Sequence, residues 1–107
     1  MKELDQQLKK GIIEIIILKL IAEKDSYGYQ IVKDLSGFNS LAIKEGSLYP
    51  ILYRLEDNLF IESSWVNKIK GKPKKYYSIT PEGRAVLTKN LVKWNEFVAD
   101  VNNILMR

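Results

Sequence analysis

Three early segments carry apolar residues at three- and four-residue spacing, two aromatic-rich strand segments flank a lysine-rich turn, and the last segment is heptad-spaced. Together they predict an α+β, mainly α, fold: a winged helix-turn-helix with a two-stranded wing and a C-terminal dimerisation helix. The 107 residues suffice for one core, with residues 1–79 holding the first helices and the wing and residues 80–107 the closing helix, in one compact unit.

Composition narrows the class. Apolar residues make up 46% and charged residues 28% of the chain, and the longest apolar run, from Ile15 to Leu18, ends at Lys19. That is far short of the roughly 20 residues that cross a bilayer. The opening MKELDQQLKK has acids and amides where a secretion signal places a basic start and an apolar block, so the cytoplasm is the expected location. There is no cysteine or histidine, which excludes disulfides, Cys/His metal sites and catalysis built on those side chains. No phosphate-cradling glycine motif or GxSxG turn occurs either, so neither an enzyme nor a cofactor is expected. The net charge of +4 is unevenly spread: no acid lies between Glu62 and Glu82, while Lys68, Lys70, Lys72, Lys74 and Lys75 cluster around Gly71 and Pro73.

The first helix is expected over residues 3–23, with Leu4, Leu8, Ile12, Ile15 and Leu18 at helical spacing. Past Gly11 it becomes apolar on all sides, and such a helix needs cover on more than one side, most simply from a second subunit. The β-branched residues of that run also suit a buried strand, but the length of the flanking pattern favours helix. A second helix is expected over residues 27–35, capped by Ser26 or Asp25, with Tyr27, Ile31 and Leu35 inward. Gly28 in its first turn leaves room for another backbone or a phosphate at a positive helix end.

Residues 45–58 form the third helix and organise the rest. Leu48, Ile51, Leu52, Leu55 and Leu59 are expected inward, which leaves Glu45, Ser47, Tyr49, Tyr53 and Arg54 on the outer face. Spacing alone favours a plain amphipathic core helix whose tyrosines shield their neighbours, but hydroxyls, rings and a guanidinium suit contact better than simple solvation, and the flanking segments decide. Pro50 costs one helical bond near the first turn, and Gly46 sits at the crowded carbonyl. Residues 61–66 and 75–79 read as the strands of a hairpin that must pack on the helices to be stable. Thr80, Pro81 and Glu82 then cap the closing helix, whose Leu87, Leu91, Trp94, Val98, Val101 and Leu105 follow a heptad seam.

In a winged helix-turn-helix the third helix enters the major groove, the amino end of the second meets phosphate, and the wing tip reaches a neighbouring groove or backbone. The expected DNA contacts are Tyr27, Gly28, Lys44, Ser47, Tyr49, Tyr53, Arg54, Lys70, Lys72 and Lys74. The expected dimer interface is Leu8, Ile12, Leu87, Leu91, Val98, Val101 and Leu105, and the partner DNA is an inverted-repeat operator. A protein-interaction module and an RNA-associated role are the competing classes.

The stretches DSYGY (residues 25–29), EGSLYP (45–50), RLE (54–56) and GKPKKYYSITPEG (71–83) resemble the motifs of the PadR family of bacterial transcriptional regulators. The resemblance covers roughly residues 10–105. It implies a homodimeric repressor of the short-tailed subgroup, with each closing helix packed on the other subunit. It also places Trp94 where some members carry a tryptophan that lines a cavity for small aromatic effectors. Lys44 departs from the family pattern, which has a Ser, Thr or Asn cap at that point.

Overall fold

Helix α1 (Leu4–Glu23) is the spine on which the other elements pack. In the computed structural model, which describes residues 4–67 and 71–107, the strand β1 (Ser26–Tyr27) leads directly into α2 (Gly28–Leu35). A turn of 3-10 helix, Asn39–Leu41, connects to α3 (Glu45–Asp57), followed by β2 (Ile61–Val66), β3 (Lys74–Ile79) and α4 (Pro81–Leu105).

The wing hairpin pairs β2 with β3 antiparallel, from Ile61 opposite Ile79 to Val66 opposite Lys74. The expected two-stranded sheet gains a third strand, because Ser26 and Tyr27 pair with Tyr77 and Tyr76 and give the order β1-β3-β2. This corrects the capping expectation at α2. Tyr27, in extended conformation, occupies the cap position without a side-chain bond, while the buried Ser26 hydroxyl donates backward to the Lys24 carbonyl at 3.0 Å.

The core lies where α1, α2 and α3 meet the inner face of the sheet. Ile13, Ile17, Leu18 and Ile21 of α1 are buried against Ile31 and Leu35 of α2, Leu48, Ile51, Leu52 and Leu55 of α3, and Ile61 and Tyr77 of the sheet. Ile12, Ile15, Ile16 and Leu20 fill the rest of the α1 circumference only in part. Leu59, expected inward, is instead 65% exposed. The helix ends before it: Asn58 is the cap, Leu59 takes φ 65°, Phe60 N–H donates to Leu55 C=O at 3.0 Å and Leu59 N–H to Glu56 C=O at 2.9 Å. Those two bonds are a Schellman ending, whose left-handed residue points outward.

The start of α4 is fixed by local chemistry. The Thr80 hydroxyl accepts from Gly83 N–H at 3.0 Å and donates to the Leu59 carbonyl at 2.6 Å, while Thr80 N–H donates to Phe60 C=O at 3.1 Å. A β-carbon on Gly83 would collide with the Phe60 carbonyl oxygen and lie 2.8 Å from Ile79 Cγ1, so only glycine lets helix and strand approach this closely. Beyond Leu87 the helix leaves the core. At 25 residues it is about 37 Å long, and with it the chain measures 57 × 32 × 21 Å.

Candidate nucleic-acid interface

The outer face of α3 is built from residues that the buried stripe leaves over. Ser47 and Arg54 are exposed and Tyr53 is 57% exposed. The Arg54 guanidinium donates to Glu14 of α1 at 3.0 Å, an exposed ion pair that orients the side chain more than it stabilises the fold. Lys44 stands at the α3 cap without a side-chain bond; its backbone carbonyl accepts from Ser47 and Leu48 N–H, both at 3.0 Å. Between α1 and this end of α3 runs a cleft of about 670 Å³, with Lys9, Lys10, Lys44 and Arg54 on its rim and Ile13, Ile43 and Ile51 in its floor. Lys9 Nζ donates to the Ala42 carbonyl at 2.8 Å and so ties the loop before α3 to α1.

Tyr49 departs from the expected role of an open contact residue. It is half-buried, and its phenol lies over Gly28. Gly28 is therefore buried, and its missing side chain makes room for Tyr49 where a backbone or phosphate was expected. Burial raises the Tyr49 pKa, and Glu45 and Tyr53 add to the effect.

The wing brings the cations. Lys72 and Lys74 are exposed, and Lys74 Nζ lies 4.7 Å from the centroid of the Tyr27 ring, which in turn meets Tyr76 edge-on at 5.3 Å. Tyr27 is thus the base on which the wing's outer face rests. Lys70 lies outside the described residues. The inner face of the wing is held to α3 by Ser63, whose hydroxyl donates to Glu56 at 2.7 Å. Next to it Tyr77 is 1% exposed, and burial, followed by the charge of Glu56, pushes its pKa up to about 12.

The expected seam residues are only partly available. Leu87 is buried in the core of its own subunit, and Ile12, Val98 and Val101 are half-buried. Leu8, Leu91 and Leu105 are exposed, and Trp94 is 42% exposed with its ring centroid 6.3 Å from that of Phe97. Phe97, Ile104 and Met106 are also exposed apolar residues and escaped the heptad count. The signal was present: Trp94, Phe97, Val101 and Ile104 follow three-, four- and three-residue steps, a second stripe beside the first.

Residues 17–89 match the model of the transcriptional regulator PadR-like family. A relative from Lysinibacillus sphaericus, described as uncharacterised protein X, is 39% identical over 99 residues that cover 91% of this chain and 90% of the relative. The crystal structure of a PadR-like transcriptional regulator from Bacillus cereus superposes with a TM-score of 0.85 at 33% identity, covering 94% of this chain and 98% of that one. Bacillus subtilis PadR in complex with operator DNA superposes with a TM-score of 0.66 at 27% identity, over 76% of this chain and 47% of that one. A family match across the helices, the sheet and the start of α4, with the GSLYP and KYY motifs in the elements described, places this chain in the PadR-like family of transcriptional regulators.

Proposed function

We propose that the protein is a homodimeric repressor that binds an inverted-repeat operator. The observation that carries this reading is the outer face of α3, where exposed Ser47, Tyr53 and Arg54 project beside a wing bearing Lys72 and Lys74. The likeness to a PadR solved with operator DNA supports it. In this reading Ser47 and Tyr53 meet base edges or the groove wall, with Tyr49 positioning the helix from beneath. Lys44, Lys70, Lys72 and Lys74 meet phosphates, as does Arg54 once it is shared with Glu14. Tyr27 and Gly28 shape the end of α2 that approaches the backbone. Residues 80–107 form the dimerisation helix, with Leu8, Ile12, Leu91, Val98, Val101 and Leu105 in the seam.

A small aromatic effector enters between the two Trp94 rings. Lys93 and Asn90 lie within one turn of Trp94 to meet a polar substituent, and the Asn90 amide is already held by the Val86 carbonyl at 2.8 Å. Filling that slot alters the separation of the two α3 helices, and operator affinity falls by the ligand's preference for the altered form.

The test is DNA binding by fluorescence anisotropy over a range of salt. Affinity should fall steeply with salt, and each of Lys72→Ala and Lys74→Ala should flatten the logarithmic slope by about one unit. Binding that ignores salt would transfer the reading to a protein-interaction module.

A further inference from the structure

The inner face of the wing continues past the core to Trp65, a large aromatic residue left mostly exposed among the described residues. On β2 and β3 alternate residues share a face, and the face turned toward α3 carries Ile61, Ser63 and Trp65 opposite Ile79, Tyr77 and Lys75. Burial fades along it: Ile61 and Tyr77 are 1% exposed, Ser63 is half-buried on Glu56, and Trp65 is 69% exposed. Trp65 has no ring partner among the described residues. Its cross-strand neighbour Lys75 has its ammonium 5.8 Å from the Tyr77 ring centroid, on the same face. On the other face of the wing, by contrast, Tyr27 and Tyr76 pack together under Lys74.

We propose that Trp65 and Lys75 are a paired sugar–phosphate contact: the indole packs on a deoxyribose at the edge of the groove that α3 occupies, and the Lys75 ammonium meets the adjoining phosphate. The inference rests on the DNA-binding reading above. A bare indole alone could serve many partners, but the acid-free stretch around it, with Lys72, Lys74 and Lys75 close in sequence, selects a polyanion. A sugar face is apolar and its phosphate is charged, so an aromatic next to an ammonium matches one backbone unit of a nucleic acid. Such a contact carries no base information and holds the register in which α3 reads.

The chain has two tryptophans, Trp65 and Trp94, and this makes the contact observable. A mixed-sequence duplex of about three helical turns, end-labelled and at low salt, is titrated with protein. Anisotropy of the label and intrinsic tryptophan emission are followed together. The emission of the unmodified protein should change in step with anisotropy, and Trp65→Phe should bind duplex while losing that emission change. Trp65→Ala should weaken binding about ten-fold on this duplex, in keeping with aromatic contacts to nucleic acid, with an unchanged melting curve. Anisotropy that rises while emission stays constant, or an emission change that survives in Trp65→Phe, overturns the contact and leaves DNA binding intact. Absence of any anisotropy change at low salt overturns the DNA-binding reading and this contact with it.

Discussion

The Tyr49 phenol lies over Gly28, so that a β-carbon on Gly28 would come within 2.8 Å of Tyr49 Cζ and closer still to its hydroxyl. The DSYGY and GSLYP stretches therefore interlock: the glycine at the start of α2 is the seat of a tyrosine near the start of α3, and the angle between the two helices depends on the fit. Gly28→Ala should push the ring outward and cost about 1 kcal/mol or more, as overpacking does. It should also weaken DNA binding, because the displaced ring intrudes on the face formed by Ser47 and Tyr53. Removing the nearest atom with Tyr49→Phe should restore part of both losses. A double-mutant cycle in stability and DNA affinity measures the coupling, and strict additivity would show that the two residues do not constrain each other.

At the other end of α3, Leu59 holds a left-handed backbone at φ 65° while 65% exposed. A leucine there gives up roughly 1 kcal/mol that glycine would not. Leu59→Gly should raise the thermal midpoint by about 2 °C, because the greater freedom of glycine in the unfolded chain offsets roughly half of that strain. Differential scanning calorimetry decides it, and a lowered midpoint would mean that the Leu59 side chain makes a contact outside the subunit.

These two sites mark the limits of what the sequence discloses. The stripe Leu48, Ile51, Leu52 and Leu55 was legible because a helix repeats, and the Thr80 cap because the amide its hydroxyl accepts from, Gly83, is three residues away. Leu59 continued the same spacing, yet the helix had already ended, in a turn that usually announces itself with glycine. The Ser26–Tyr27 strand was too short for any alternation to register, and Ser26 looked like a cap because its backbone partner, Tyr77, is remote in sequence. The role of Gly28 depends on Tyr49, and Leu87 belongs to the core because the packing of α4 on α1 reaches only its first turns. At Leu59 the missing information is a local turn made without its usual glycine; at Ser26, Gly28 and Leu87 it is a long-range contact, which no local pattern encodes.

Tyr77 links stability to alkaline pH. Burial, then Glu56, raises its pKa to about 12, against about 10 in an unfolded chain. Its contribution is fully present below about pH 10 and is lost as pH rises toward the folded value, since the unfolded state then gives up its proton first. Denaturant midpoints should hold steady up to about pH 9 and fall between about pH 10 and pH 12. Tyr77→Phe should make that fall shallower, leaving the part due to Tyr49, whose pKa is also raised. An identical alkaline profile in the Phe variant would show that the Tyr77 hydroxyl reaches solvent.

The exposed apolar length of α4 predicts an obligate dimer. Leu91, Trp94, Phe97, Ile104 and Leu105 are each at least 42% exposed along one helix, and contiguous apolar patches are uncommon on monomers. The paired substitution Leu91→Glu and Val98→Glu should produce monomers or aggregates and abolish tight operator binding, while Thr80, Gly83 and the core below them are untouched. Analytical ultracentrifugation provides the check. A well-folded monomer of the unmodified chain at micromolar concentration contradicts the prediction.

Trp94 separates a structural seam from a sensing one. Its ring stands 6.3 Å from Phe97 and tilted by 34°, so the two rings present an aromatic wall without interlocking, and the Trp94 side is only partly covered by its own subunit. If the wall merely fills volume between subunits, Trp94→Ala leaves a cavity costing about 3–5 kcal/mol, and the dimer weakens or unfolds. If it borders a ligand slot, part of that volume is already open. Trp94→Ala should then remain a dimer that binds DNA, and planar aromatic ligands should no longer quench its fluorescence beyond the level that Trp65 gives or release it from DNA. Because Phe97 shares the wall, Phe97→Ala should weaken the same ligands while keeping Trp94 as the reporter. Sedimentation, tryptophan emission and DNA release, measured on both variants with one set of planar ligands, distinguish the two. Loss of the dimer in Trp94→Ala, with ligand response unchanged in Phe97→Ala, would assign Trp94 to the seam and place any effector elsewhere.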